Sequence, residues 1–421
     1  MIKRFYVKNF SSIKDAMDIS FEASKIEDNT FYNNYFSFRD SNILKVSAFY
    51  GMNATGKTRI VMAFAALREL VVGGMILGPK LPYSPFKFDQ KSKNEPIVLG
   101  IEFSFDNRPT SSIFRYFVSY DDKNILSEKL EKLASQKPSL LFERVVGENG
   151  QPNVRLGTTV QNNVLLKAIK DSVVRDQTFL SMFSQFRIED FYEAFSFFAQ
   201  SIINISPIVT RFDDVLPDKI IRDEKFKDFT LKLLKAADFN ITNLSVGKSA
   251  IHPKRNIGQG FVAERDALIL THKGDCSSGS LEFIEESLGT KKIIILAAHL
   301  YPALCKPSVF IVDELESSLH PELTKLIVKC FLDETINPFN SQLIFTSHET
   351  SLLNLNLLRR DQINFVYKDR NTCGTFIKSL KDFHVRKTDS IEKSYLAGRY
   401  LTTPEIKENL LEDYFNADWK V

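Results

Sequence analysis

Residues 51–58 read Gly51-Met52-Asn53-Ala54-Thr55-Gly56-Lys57-Thr58, and they meet every required position of the pattern GxxxxGK[ST]. Glycines let a backbone curl until successive N–H groups point at phosphate oxygens, and the helix that follows offers its N-terminus to the same anion. A lysine at position 57 can reach the β- and γ-phosphates, and the Thr58 hydroxyl can ligate Mg²⁺. The loop therefore predicts a nucleotide site built by Gly51, Asn53, Ala54, Thr55, Gly56, Lys57 and Thr58. Its surroundings agree: residues 43–50 read as a buried strand running into the turn, and 59–72 have helical spacing that stops at Gly73-Gly74.

Such a loop needs an acidic partner at the end of another strand. Residues 308–314, Ser308-Val309-Phe310-Ile311-Val312-Asp313-Glu314, supply four apolar strand residues and then two carboxylates. Asp313 is placed to hold Mg²⁺, directly or through water, and Glu314 to polarise the attacking water as general base. A further apolar strand, Gln342-Leu343-Ile344-Phe345-Thr346-Ser347, ends on His348. A histidine on the C-terminal rim of a doubly wound sheet faces ligand and can donate to the γ-phosphate or its product. His252, His272, His299 and His384 have no comparable placement.

Working outward, residues 2–8, 17–23, 97–105, 113–120 and 140–146 alternate as strands. Residues 158–240 lose that alternation and carry helical patterns at 188–203 and 224–235. Strand-like runs return at 241–246 and 260–271. A helix is expected at 283–301, a strand at 309–312, a helix at 322–332 and strands at 342–346, 363–367 and 374–380. The expected architecture is α/β: a P-loop domain with a mixed sheet, an N-terminal antiparallel β subdomain (within 1–157), a helical insert (158–240) and a C-terminal half (241–421). The 256 residues from Lys57 to Asp313 split one nucleotide site across the chain.

The 421 residues are 43% hydrophobic and 25% charged, which excludes wholesale disorder. Fifty-five Lys and Arg against 52 Asp and Glu give +3, so no overall basic field advertises nucleic acid. The 36 Phe against one Trp read as core filler. Four cysteines without a CxxC pair suggest neither a zinc cluster nor a disulfide framework and fit a reducing, cytoplasmic setting. The N-terminus lacks the apolar core of a secretion signal, and Arg68 and Glu69 interrupt the most membrane-like run, 60–78, so no membrane span is expected.

The P-loop, the Asp-Glu strand and the His strand, in that order, resemble an ABC-type ATPase of the class that includes the SMC, RecF and OLD-like proteins. Asn9-Phe10-Ser11-Ser12 resembles that class's N-F-x-S opening, with Ser11 where a basic residue is usual. Glu286-Ser287-Leu288-Gly289-Thr290-Lys291 resembles its signature motif in the short S-x-G-T form, and Glu316-Ser317-Ser318-Leu319-His320-Pro321 its D-loop. The resemblance implies ATP and Mg²⁺ as cofactors. It also implies a homodimer, or a higher oligomer built from it, in which Ser287 and Gly289 meet ATP held by the other protomer. A glutamine at the junction with the insert completes such sites, and Gln185 leads over Gln90. Leu358-Arg359-Arg360-Asp361-Gln362-Ile363, Val385-Arg386-Lys387 and Tyr395-Leu396-Ala397-Gly398-Arg399-Tyr400 narrow the likeness to stand-alone AAA-15/AAA-21-type ATPases encoded beside restriction and abortive-infection genes. Leu401 stands where that group has Gly, and Pro404 is kept.

What the resemblance implies is an ATP-hydrolysing regulatory subunit of a bacterial anti-phage defence system that controls a separately encoded effector, a nuclease or toxin. Seventy-three residues follow His348, too few for a TOPRIM nuclease domain, and they carry no DxD pair. The competing reading is a RecF- or SMC-like DNA-repair ATPase. Residues 359–399 hold ten Lys and Arg against five Asp and Glu, which suits nucleic acid or an acidic protein partner equally. A transporter subunit is a third class. The insert has no sustained heptads, which excludes a long coiled coil.

Overall fold

The computed structural model describes residues 1–25, 32–73, 81–133, 137–147, 149–205, 216–250, 264–274, 277–386 and 389–400. Gly74, the loop around Gly78 and Pro79, the start of the 260–271 run, Lys387, and Leu401 with Pro404 lie outside the described residues.

A six-stranded sheet forms the centre. Its strands are β1 (Val46–Tyr50), β2 (Ile202–Ile205), β3 (Val309–Val312), β4 (Gln342–Ser347), β5 (Ile363–Lys368) and β6 (Thr375–Ser379). The spatial order is β2-β3-β4-β1-β5-β6, parallel throughout except for β6, which runs antiparallel to β5. The sheet is mixed, as the sequence predicts. Its strands read as uninterrupted apolar runs because both faces are covered. Phe49, Val309, Ile311 and Ile344 turn to one side and pack with Ile60, Phe64 and Leu67 of α1 (Lys57–Val72). Ala48, Phe310, Val312 and Phe345 turn to the other, against α2 (Leu288–Leu304) and α3 (Pro321–Leu332).

The expected single strand at 43–50 is two. Ser41–Leu44 forms a hairpin with Tyr35–Phe38, and β1 begins only after Lys45. That lysine is buried and reaches Glu334 at 3.8 Å.

The N-terminal antiparallel subdomain is a seven-stranded sheet in the order Pro152–Leu156, Pro138–Val146, Ile125–Leu133, Ile113–Tyr120, Ile97–Phe103, Ile2–Lys8, Met17–Ser20. It covers the outer side of α1, where Phe5 stacks on Phe64 with ring centroids 3.7 Å apart. Phe103 stacks on Phe197 at 4.3 Å, and Phe142, Phe179, Phe183 and Phe191 form a second cluster. Each buried ring contributes roughly 1.5–3 kcal/mol, so most of the Phe surplus is core.

The stretch expected to be one helix at 188–203 changes state twice. A helix at Glu189–Ser196 widens into a π turn at Phe197–Ser201, then extends as β2 alongside β3. Pairing with the open edge of the central sheet satisfies backbone groups that further helix would leave at a buried end, and it overrides the helical pattern. Residues 158–240 are therefore not purely helical: they carry helices at Val164–Lys170, Leu216–Arg222 and Glu224–Ala236 and also lend a strand to the core. The helix expected at 283–301 starts at Leu288, after a short turn at Phe283–Glu285, and runs to Leu304.

A buried ion pair fastens the insert's first residues to the antiparallel sheet. Glu128 lies 3.7 Å from Arg144 and accepts hydrogen bonds from Tyr116 Oη (2.9 Å) and from the backbone N–H groups of Phe179 (2.6 Å) and Leu180 (3.0 Å). Arg144 donates to the carbonyls of Val174, Arg175 and Gln177. Among the described residues, no helix is long and apolar enough to cross a membrane.

Candidate nucleotide-binding site

The loop between β1 and α1 has the shape its glycines predict. Gly56 sits at φ 110°, and a Cβ there would lie 2.2 Å from Thr375 Oγ1. A Cβ at Gly51 would lie 2.2 Å from the Val366 carbonyl oxygen. Ala54 is also left-handed, at φ 63°. Thr55 Oγ1 donates to the Met52 carbonyl at 2.9 Å and holds the curl. From outside, Thr375 Oγ1 donates to the Thr55 carbonyl at 2.7 Å and lies 2.8 Å from the Ser12 hydroxyl.

Lys57 opens α1 and folds back over the loop, donating to the carbonyls of Gly51 (2.7 Å) and Met52 (2.9 Å). Its ammonium is pushed down to about 8 by burial, against the pull of Glu314, Asp313 and Glu316.

The opposing wall comes from the ends of β3 and β4. Asp313 is buried, and Thr346 Oγ1 donates to its Oδ1 at 2.6 Å. The same Thr346 oxygen accepts the Glu314 N–H at 2.8 Å. Glu314 adopts φ 49°, a left-handed conformation rare outside glycine, which such sites concentrate where a side chain must be aimed. Glu316 Oε1 accepts the His348 N–H at 2.5 Å, tying the ends of the two strands together. Burial, with Lys57 second, lowers the His348 imidazole below its usual range, while Glu316, Glu314 and Asp313 oppose the shift. That direction favours the neutral imidazole, which carries one ring N–H. Lys292, on α2, is likewise lowered by burial and drawn back up by Glu314, Glu316 and Asp313.

One cavity of about 520 Å³ joins these groups. Lys57, Thr58, Glu314 and His348 line it, as do Asn53, Ala54, Thr55 and Gly56 from the loop and Ser11 and Ser12 from the N-terminus. Gly51 and Asp313 stand behind that lining. The donors available to a cation are hard oxygens: the Asp313 carboxylate, one of whose oxygens is oriented by Thr346, and the Thr58 hydroxyl. That set suits Mg²⁺, which keeps most of its shell for water and phosphate.

Gln185 is not brought there. It is exposed at the end of the short turn Leu180–Ser184 and does not line the cavity, because Phe179, Leu180 and Phe183 turn into the Phe cluster and leave it facing out. Lys87 and Phe88, neighbours of Gln90, do line the cavity. Ser287 and Gly289 are also outside it. Ser287 caps α2, its Oγ accepting the Thr290 N–H at 3.1 Å, and Gly289 abuts the carbonyl of Ser318, 3.2 Å from where a Cβ would sit. Leu288 between them is 72% exposed and Ile284 55%. His272 Nε2 lies 2.6 Å from Glu286 Oε1 and braces the residue before Ser287. Ser12 and Glu316, from the N-F-x-S and D-loop motifs, come to the site, whereas Thr346, Thr375 and Lys292 have no site signal in the sequence. No local pattern marks these three, since Thr346 and Thr375 act across 30 or more residues of separation and Lys292 acts from a helix face onto another element.

A family model described as "AAA domain, putative AbiEii toxin, Type IV TA system" matches residues 46–354. No curated protein matches the chain. Among solved structures, the SMC head domain from Thermotoga maritima aligns at 15% identity and TM-score 0.38, over 90% of this chain and 98% of that one. An Smc head domain with an extended coiled coil bound to the C-terminal domain of ScpA, from Pyrococcus furiosus, aligns at 12% identity and TM-score 0.39 (95% and 99% covered). An Smc head domain with a coiled coil and joint from Pyrococcus yayanosii aligns at 10% identity and TM-score 0.42 (95% and 99% covered).

Proposed function

This chain belongs to that AAA-domain family, and from this premise we propose that it is an ATP-hydrolysing, dimeric regulatory subunit of a bacterial anti-phage defence system. The observation that carries the catalytic part is that Lys57, Thr58, Glu314 and His348 line one cavity although up to 291 residues separate them. In this reading the loop amides and Lys57 hold the β- and γ-phosphates, and Thr58 and Asp313 hold Mg²⁺. Bound there, Mg²⁺ would neutralise charge on the phosphate oxygens. Glu314 takes a proton from the attacking water, and neutral His348 donates its ring N–H to the γ-phosphate or to the phosphate product.

The exposed Ser287-Leu288-Gly289 end of α2 lies outside the cavity, and this supports its meeting ATP on a second protomer. A helix N-terminus suits an anion, and the exposed Leu288 and Ile284 gain by being covered. ATP then closes the dimer, and hydrolysis opens it. The family's description names a putative toxin and a type IV toxin–antitoxin system, which supports a place in a system with a separately encoded partner. The DNA-repair reading leaned on 359–399, but Arg359 is buried against Asp361, so less of that charge faces solvent than the sequence count suggests. We keep 1–157, 158–240 and 241–421 as the working division, with β2 lent by the insert to the core.

Two measurements test the proposal. Purified protein should hydrolyse ATP, and Lys57→Ala should not; intact turnover in the variant overturns the site. Cells carrying the native operon should resist phage, and Lys57→Ala should make them sensitive. Unchanged plating together with sensitivity to DNA damage would favour the repair reading instead.

A further inference from the structure

Among the described residues most phenylalanines are core, but Phe88 is 70% exposed and lines the same cavity as the phosphate loop. The segment that carries it is firmly held. Asn9 Nδ2 donates to the carbonyls of Ser92 (2.8 Å) and Glu95 (2.8 Å), and its Oδ1 accepts the Phe86 N–H at 3.1 Å. Ser11 N–H donates to the Ser84 carbonyl at 2.6 Å, and Asp89 accepts from Ser92 Oγ at 2.7 Å. Phe86 is fully buried, its ring centroid 5.7 Å from that of Phe88. The Lys368 ammonium, from the end of β5, stands 5.5 Å from the Phe88 ring centroid and also lines the cavity.

An anchored loop that buries one aromatic ring and presents the next to a phosphate cradle leaves that ring's apolar face in water until something flat covers it. We propose that Phe88, flanked by Lys368, is the stacking platform for the nucleotide's base. The inference rests on the nucleotide reading of the cavity and adds where the base goes. A stacked ring reads a base's π-face and not its hydrogen-bonding edge, so the platform accepts purines with little discrimination.

Equilibrium titrations of wild type, Phe88→Ala, Phe88→Trp and Lys57→Ala with Mg–ATP, Mg–GTP and inorganic tripolyphosphate test this. Loss of base–aromatic stacking should raise the Kd of Phe88→Ala for both nucleotides by roughly 5- to 100-fold. Tripolyphosphate binding should be unchanged in that variant, Phe88→Trp should restore nucleotide affinity, and Lys57→Ala should weaken all three ligands. Wild-type nucleotide affinity in Phe88→Ala overturns the platform, as does an equal loss for tripolyphosphate. Failure of the wild type to bind either nucleotide or tripolyphosphate overturns the nucleotide reading itself, a result distinct from those two.

Discussion

Thr346 Oγ1 donates to Asp313 Oδ1 at 2.6 Å and accepts the Glu314 N–H at 2.8 Å, so one buried hydroxyl orients both residues at the end of β3. Replacing it by the isosteric valine leaves Asp313 short of its partner and releases the Glu314 backbone. Hydrogen bonds to charged groups are worth about 1.5–3 kcal/mol, which predicts that Thr346→Val lowers ATP turnover by roughly 10- to 100-fold. Thr346→Ser should retain most of the activity. Steady-state kinetics beside nucleotide titrations check this, and the loss should fall mainly on kcat.

Lys57 sets a pH limit. Its ammonium is lowered to about 8 in the free protein, chiefly by burial. A bound triphosphate favours the charged form and raises that pKa, so the protein takes up a proton on binding as pH passes 8. Mg–ATP affinity should be flat below pH 8 and weaken above it, by at most tenfold per pH unit. A titration series from pH 6.5 to 9.5 checks the sign, and affinity that rises above pH 8 contradicts it.

Gly56 is constrained twice, by φ 110° and by the nearness of Thr375 Oγ1. Gly56→Ala places a methyl group on that oxygen in a strained backbone region, costing about 1–3 kcal/mol. The loop should reshape and nucleotide affinity should fall by roughly tenfold or more. Far-UV circular dichroism should remain native, because the cores on both faces of the central sheet are untouched.

Glu128→Gln tests the buried pair. Without the carboxylate, Arg144 is left as an uncompensated charge with 0% side-chain exposure. Breaking such a pair by removing one partner costs about 3–5 kcal/mol, which urea unfolding should register as a lower midpoint. A variant as stable as wild type would show that the 174–180 segment is held by other contacts.

The parts legible in the sequence were those whose physics is local. The β3 run at 309–312 and the glycine loop declare themselves by buried apolar runs and by the backbone freedom that phosphate binding needs. The Phe surplus is packing, as composition suggests, but composition cannot single out the exposed Phe88. What escaped depends on distant partners. Ile202–Ile205 is a strand because the edge of β3 offers it hydrogen bonds, while its own neighbours, Phe197 and Phe198, read as helix. The expected strand breaks at Lys45 because its N–H donates to the Asn34 carbonyl while its carbonyl accepts the Leu343 N–H, partners more than 300 residues apart. Thr375 supports the phosphate loop from 320 residues further along the chain, and no window of sequence contains both.

The central claim is that ATP joins two copies through Ser287 of one and Lys57 of the other. Light scattering on gel-filtered Glu314→Gln with Mg–ATP measures it most directly. The account predicts the mass of two chains with ATP and of one without, and a return to one chain when Ser287→Arg is added. A Glu314→Gln protein that binds Mg–ATP yet stays at the mass of a single chain contradicts it.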